Sequence, residues 1–339
     1  MLQEAIAKVV AGSDLTAQEA EAALEEIMSG QASEAQIAAL LVGLRMKGEK
    51  PSEIAGLART MREHCVKVRP QREDVVDTCG TGGDALDTFN ISTAAAFIAA
   101  GAGVAIAKHG NRSVSSQCGS ADVLAELGVN LEVEPGRVGE CIDRVGLGFL
   151  FAPAHHPAMR HVMPTRQALG LRTVFNILGP LTNPAGARRQ LLGVYDPALT
   201  TLVAEALREL GSERALVVHG LDGLDELSTL GPTQVAELAE GEVREYTVAP
   251  QDVGLRKAGP DDISGGDTEE CARRMTAVLE GEPGPRLDIA LLNAAGVIVA
   301  AGSADSLEEG LEQARESVGS GQARGKLGEL VEFTNAAAP

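Results

Sequence analysis

The stretch Val75-Val76-Asp77-Thr78-Cys79-Gly80-Thr81-Gly82-Gly83-Asp84 is a short β-like run that passes directly into three glycines in four residues. Glycine tolerates positive φ, so such a loop can turn its backbone N–H groups inward as an anion nest that fits a phosphate or diphosphate. No Lys-Ser/Thr follows, which removes the Walker A pattern, and the dinucleotide G-x-G-x-x-G spacing is not met either. Taken alone, the loop reads better as a Gly-rich turn with no ligand.

Outward from it, short β-like runs alternate with Ala-rich helical runs, the signature of βαβ units and a parallel sheet. The further candidate strands are Val104 to Ala107, Phe149 to Ala152, Arg214 to His219 and Leu287 to Leu292. The first four of the five strands empty into polar loops, where open α/β sheets place their ligands. Residues 231 to 265 are expected to add antiparallel strands at a sheet edge. Ser306 to Val318 and Gly325 to Phe333 read as closing helices, and no internal repeat is present.

Residues 1 to about 65 are helical in pattern, with Leu2, Ile6, Val9 and Val10 at helical spacing, capping boxes at Thr16/Glu19 and Ser33/Gln36, and a further start at Pro51-Ser52. The run Ala35 to Leu44 is apolar on nearly every face, which implies burial on two sides, either in the core or at a subunit interface. A helical-looking insertion, Pro157 to Asn183, carries Arg166 and Arg172.

Hydrophobic residues make up 44% and charged ones 23% of 339 residues, ordinary globular usage for one or two folding units. Asp and Glu outnumber Lys and Arg, 48 to 29, and the resulting charge of −19 repels polyanions, so nucleic acid is not an expected partner. A small anion requires a local reversal of that sign. Five widely spaced cysteines without a C-x-x-C pair read as reduced thiols. No signal sequence and no long apolar run is seen, so no membrane partner and a cytoplasmic location are expected.

Three further segments carry chemistry. Thr88-Phe89-Asn90-Ile91-Ser92-Thr93 precedes the helix Ala94 to Ala100, so Ser92 or Thr93 is a natural N-cap. The remaining polar groups are free for a phosphate, or Ser92 for Mg2+. An apolar strand then empties into Lys108-His109-Gly110-Asn111-Arg112-Ser113-Val114-Ser115-Ser116, a second anion site, because polar groups at such a place need partners. In His219-Gly220-Leu221-Asp222-Gly223-Leu224-Asp225-Glu226, adjacent Asp225 and Glu226 repel unless a cation sits between them, which reads as Mg2+ ligation, although an acidic loop in an acidic protein explains it equally. More weakly, Ala152-Pro153-Ala154-His155-His156-Pro157 and Arg166 line a pocket for a small acid, with Arg166 bidentate on its carboxylate.

Two anion nests, a hydroxyl at a helix N-terminus and an Asp-Glu pair describe a site for a Mg2+-bound diphosphate ester. With Gly119-Ser120-Ala121-Asp122 and Arg172 to Pro184, these segments strongly resemble, in order and over nearly the whole chain, the anthranilate phosphoribosyltransferases. The resemblance implies a large α/β domain with a mostly parallel central sheet (69–156 and 185–339), a small all-helical domain (1–68 plus about 157–184), and a homodimer through the small domains. It implies transfer of a phosphoribosyl group from 5-phosphoribosyl 1-diphosphate to the amine of anthranilate, a step toward tryptophan. By position, Gly80, Gly83, Asp84, Thr88, Asn90, Ile91, Ser92, Thr93, Lys108 to Ser116 and Ser120 would hold the phosphoribosyl diphosphate. Gly80, His109, Asn111, Ala152, Pro153, His156, Met159 and Arg166 would contact anthranilate or its access path. Two Mg2+ ions are implied, one on Ser92 and Glu226 and the other on Asp225 and Glu226. Lys108, Asp225 and Glu226 would carry the catalysis. Gln117-Cys118, Ala125 and Thr165 depart from the family pattern but are not carried-over ligands.

Two alternatives stay open at this level. A pyrimidine-nucleoside phosphorylase needs a phosphate site but no diphosphate with two metal ions. A non-catalytic nucleic-acid-binding relative calls for a basic surface and eroded metal ligands, which the charge and the retained Ser92, Asp225 and Glu226 disfavour.

Overall fold

The computed structural model describes residues 1–83, 86–112 and 117–336. The expectations placed on Asp84, Ser113, Val114, Ser115 and Ser116 lie outside the described residues.

Four helices open the chain: α1 (Leu2–Val10), α2 (Ala17–Met28), α3 (Glu34–Lys47) and α4 (Pro51–Glu63). Their starts are set locally. Thr16 and Ser33 accept from the N–H groups of Glu19 and Gln36, whose side chains reach back to the cap N–H, and Pro51 stands at the first position of α4, where its missing N–H costs nothing. The fully buried Glu53 accepts from the N–H of Leu15 at 2.8 Å, the N–H of Lys50 at 2.8 Å and Lys47 Nζ at 3.0 Å, so one carboxylate ties three segments together and its burial is matched by donors.

Strand and helix then alternate: β1 (Val76–Gly80), α5 (Ile91–Gly101), β2 (Ile106–Gly110), α6 (Ser120–Glu126), α7 (Pro135–Val145) and β3 (Leu147–Phe151). Short helices follow as α8 (Ala152–His155), a 3-10 turn at Pro157–His161, α9 (Met163–Leu169) and α10 (Phe175–Leu178). The chain returns to the sheet with β4 (Arg189–Gly193), α11 (Leu199–Glu209), β5 (Arg214–Gly220), β6 (Thr233–Ala239) and β7 (Glu242–Val248). It closes with α12 (Thr268–Leu279), α13 (Pro285–Ala301), α14 (Leu307–Gly319) and α15 (Gln322–Asn335).

Among the described residues the strands make one sheet ordered β3-β2-β1-β4-β5-β6-β7, parallel from β3 to β5 and antiparallel for β6 and β7, as the 231–265 segment led one to expect. The order reverses at β1, with β2 and β3 on one side and β4 on the other. Crossovers that leave in opposite directions open a crevice at the C-terminal strand ends, and here Gly80 of β1 faces Gly193 of β4 across it.

Three expectations change. Leu287 to Leu292 is not a strand but part of α13, a helix of 17 residues buried from Ile289 to Ala301. A helix apolar on all sides shows no 3.6-residue stripe, so its short apolar runs mimic a buried strand. The sheet also contains β4, whose leading Arg189 and Gln190 hide it from a hydrophobicity pattern. Gln190 is buried there because its Nε2 donates to Pro180 O at 2.7 Å. Finally, α5 starts at Ile91, three residues earlier than read, with Asn90 at the cap position and no side-chain cap bond, which leaves Ser92 and Thr93 inside the first turn.

Two large apolar clusters hold the molecule. One is centred on α5 and α13, which cross on the face of the sheet. The other joins Leu24, Ile37, Leu40 and Leu57 of the N-terminal helices with Val162, Phe175 and Leu178 of the insertion, and continues into Leu192, Val203 and Val217 of the sheet and α11. Each Leu or Ile buried this way contributes about 1.5–3 kcal/mol relative to exposure.

Candidate active site

Lys108 lies on β2 between β1 and the start of α5. Its Nζ donates to Thr78 O at 2.7 Å and to Ser92 Oγ at 3.2 Å, and the side chain is only 3% exposed. Burial pushes its ammonium pKa down, while Asp77 and Glu226 oppose that shift. Asp77, fully buried on β1, accepts from His109 N at 3.0 Å, and burial pushes its carboxyl up to about 6 against the pull of Asn183, His109 and Lys108. A cation is thus fixed at the crevice with one carboxylate behind it.

The glycine loop takes its shape from Gly82 (φ 67°) and Gly83 (φ 80°), left-handed conformations that favour glycine. Thr81 N donates to Gly193 O at 2.9 Å and Gly82 N to Asp225 Oδ2 at 2.8 Å. Glu226 Oε1 accepts from Ser92 N at 3.1 Å, at the positive end of α5. The adjacent Asp225 and Glu226 therefore part toward different N–H donors: one at the glycine loop, one at the helix start. A Cβ at Gly80 would run into the Asp225 carboxylate, and one at Gly193 into the Asp225 carbonyl, so both glycines are required for this close approach. Ser92, Lys108, Gly80, Asp225 and Glu226 are thereby linked in one cluster. Its candidate metal ligands, the Asp225 and Glu226 carboxylates and the Ser92 hydroxyl, are all oxygens, the chemistry that suits Mg2+ rather than a soft metal. Thr93 is fully buried, and its Oγ1 has no hydrogen-bond partner among the described residues.

Beyond β2, Gly110 is hemmed in: a Cβ there would meet Ser120 Oγ at 2.5 Å and the Phe149 ring at 2.6 Å. Asn111 O accepts from Ser120 Oγ and from Ala121 N, each at 3.2 Å, and Arg112 pairs with Asp122 at 2.7 Å. Asn90 Nδ2 donates to Cys118 O at 3.1 Å, tying the start of α5 to this second loop. Ile91 is buried in the first turn of α5, and Thr88 makes an isolated antiparallel bridge with Ser264.

On the other flank, His109 and His156 face each other with Nε2 atoms 3.2 Å apart, one ring donating to the other. Burial, reinforced by repulsion of its charged form from His156 and His155, pushes His109 down to about 3, and burial with His155 and Lys67 pushes His156 down to about 4, so both rings are neutral at pH 7. Ala152 and Pro153 open α8 at the end of β3, and Met159 lies in the 3-10 turn behind His156. Arg166 on α9 lies with its guanidinium 5.5 Å over the Phe175 ring, and burial alone lowers its pKa. Among the described residues its guanidinium makes one side-chain hydrogen bond, a long one from Nη1 to Met163 Sδ at 3.9 Å.

Sequence reading missed two participants. Arg172 donates to Gly83 O and stacks 4.2 Å over Tyr195, so the insertion reaches back to the glycine loop. Asp77 gave a legible signal, an acid inside an apolar strand, that was not taken up. The described residues contain no helix long and apolar enough to cross a membrane.

Comparison with known proteins agrees with this architecture along the chain. Residues 3–65 match the helical bundle domain of a glycosyl transferase family and residues 72–324 its a/b domain. An anthranilate phosphoribosyltransferase of Symbiobacterium thermophilum is 55% identical over 328 residues, 97% of this chain and 96% of that protein. The crystal structure of anthranilate phosphoribosyltransferase from Thermus thermophilus superposes with a TM-score of 0.94 at 48% identity, covering 98% of this chain and 99% of that one. The Saccharomyces cerevisiae anthranilate phosphoribosyltransferase in complex with PRPP and Mg superposes with a TM-score of 0.91 at 29% identity, covering 99% and 98%. Matched in sequence and fold over nearly its whole length, the chain belongs to the anthranilate phosphoribosyltransferase family.

Proposed function

We propose that the protein transfers the phosphoribosyl group of 5-phosphoribosyl 1-diphosphate to the amine of anthranilate, releasing diphosphate. The observation that carries this reading is the cluster at the sheet's switch point. There Lys108 Nζ, Ser92 Oγ and the N–H groups of Gly82 and Ser92 surround Asp225 and Glu226. With a net charge of −19 and three carboxylates beside Lys108, the cluster would take an anionic diphosphate only with Mg2+ offsetting Asp225 and Glu226.

The diphosphate leaves as the ribose C1–O bond breaks, so negative charge grows on the leaving group and positive charge on the ribose. Lys108, whose Nζ keeps a third N–H beyond its bonds to Thr78 O and Ser92 Oγ, would stabilise that negative charge by about 3 kcal/mol if it acts like an oxyanion-hole donor. Gly82 N would exchange its Asp225 acceptor for the diphosphate. Ser92, Asp225 and Glu226 would hold Mg2+, expected as two ions, which when bound supplies further charge neutralisation on the diphosphate. Gly80, Gly83, Asp84, Thr88, Asn90, Ile91, Ser92, Thr93 and residues 108–116 with Ser120 are assigned to the phosphoribosyl diphosphate. His109, Asn111, Ala152, Pro153, His156, Met159 and Arg166 are assigned to anthranilate. The aryl amine is already a neutral nucleophile at pH 7, so the neutral imidazoles have to orient it rather than generate it.

We also assign a homodimer through the N-terminal helices. Val10 of α1 and Met46 of α3 are 70% and 84% exposed, and Ala38, Ala39 and Val42 of the apolar α3 run are only partly covered within one subunit. We also assign a cytoplasmic location, the expectation read from the sequence.

The test is the double variant Asp225→Asn/Glu226→Gln. Turnover should fall by about 100-fold or more and the Mg2+ dependence should shift to higher concentration. An unchanged Mg2+ titration would contradict the assignment.

A further inference from the structure

The loop that carries Asp225 and Glu226 is anchored from behind by α13. Asn293, fully buried in the middle of this otherwise apolar stretch, accepts from Leu227 N at 2.9 Å and donates to Leu227 O at 2.9 Å. Its other amide hydrogen goes to Ile289 O at 2.9 Å. One helical turn on, Gly296 makes room for the same residue, since a Cβ there would meet Leu227 Cδ1 at 2.6 Å. Leu227 immediately follows Glu226 and is itself fully buried. On the opposite side of the loop, the Asp225 carbonyl lies against Gly193 of β4. The backbone from Asp225 to Leu227 is therefore gripped between β4 and α13. From that grip the two carboxylates reach the N–H groups of Gly82 and Ser92.

An apolar residue of similar volume would fill α13 equally well, but it would leave the N–H and C=O of Leu227 buried without these partners. The amide's value lies in its grip on the loop, not in the helix. We infer that Asn293 is a positioning residue for the Asp225-Glu226 pair: by clamping both polar groups of Leu227 it fixes where the two carboxylates present their oxygens to Mg2+. This inference rests on the function proposed above. Outer partners that orient ligands in this way typically carry 10–100-fold in metal affinity or activity.

The experiment compares the full-length protein with Asn293→Leu, which removes all three bonds, and Asn293→Asp, which keeps the acceptor for Leu227 N and loses the donors. Mn2+ binding in the presence of inorganic diphosphate is read by electron paramagnetic resonance, alongside thermal unfolding and steady-state kinetics. Asn293→Leu should weaken Mn2+ binding by about tenfold or more and lower kcat to a similar degree, with the KM for anthranilate within about twofold, and Asn293→Asp should fall between. If Asn293→Leu does not fold, Asn293→Asp carries the comparison. A folded variant that melts earlier but keeps the parent Mn2+ affinity and kcat would overturn the inference. Failure of the unsubstituted protein to bind Mn2+ with diphosphate, or to consume anthranilate, would instead overturn the functional reading beneath it.

Discussion

At the scale of single residues, the account depends on buried groups whose charge states differ from those in water. His109 and His156 are held neutral, with pKa values near 3 and 4, chiefly by burial, with neighbouring histidines opposing their charged forms further. A histidine pKa depressed in the folded state contributes stability that is complete above about 6.5 and is lost as pH falls toward the folded value. The protein should therefore lose on the order of 3 kcal/mol per ring between pH 7 and pH 4. His109→Gln should flatten that slope in urea unfolding across this pH range, and an unchanged slope would show that the rings are not the source. Arg166→Ala should raise the KM for anthranilate by about 10- to 100-fold and leave that for the phosphoribosyl donor within about twofold, because only the carboxylate of the small acid loses its bidentate partner. Equal effects on both substrates in initial-rate measurements would refute the assignment. Lys108, Ser92, Asp225 and Glu226 were legible as residues because their types and local settings announce anion and metal chemistry. Asn293 was not, since a lone Asn inside an apolar run gives no hint of the distant peptide it holds.

At the scale of elements, legibility followed amphipathicity. The capped N-terminal helices and the strands around Val76, Ile106, Leu147 and Arg214 declared themselves by caps, turns or apolar runs. The two failures have one cause. α13 is buried on all sides and β4 begins with polar residues that find partners inside, so neither displays the pattern that its geometry should produce. β4 matters most for function, since it forms the second wall of the switch-point crevice, and Gly193 marks where the Asp225 backbone lies against it. Gly193→Ala would force that carbonyl or the strand to move. It should destabilise the protein by about 1–3 kcal/mol and lower kcat more than it alters the KM for anthranilate, as read by chemical unfolding and steady-state kinetics. Parent stability and parent kcat together would show that the close approach is not required.

At the scale of the whole molecule, a strongly acidic protein buries Lys108 where strand order reverses, so an anionic substrate would rely on that cation, on backbone N–H groups and on bound Mg2+ against the overall field. The exposed apolar residues of α1 and α3 belong to this scale as well. Val10→Asp combined with Met46→Glu should convert a dimer to monomers in sedimentation equilibrium while the far-ultraviolet circular dichroism stays unchanged. A monomeric parent protein would remove the dimer assignment. The central claim, that the cluster at the β1–β4 crevice serves phosphoribosyl transfer to anthranilate, is tested most directly by following anthranilate fluorescence in the presence of enzyme. With both phosphoribosyl diphosphate and Mg2+ the signal should decay to completion, and omission of either should hold it constant. Constant fluorescence with both present, accompanied by metal-independent phosphorolysis of thymidine, would contradict the account.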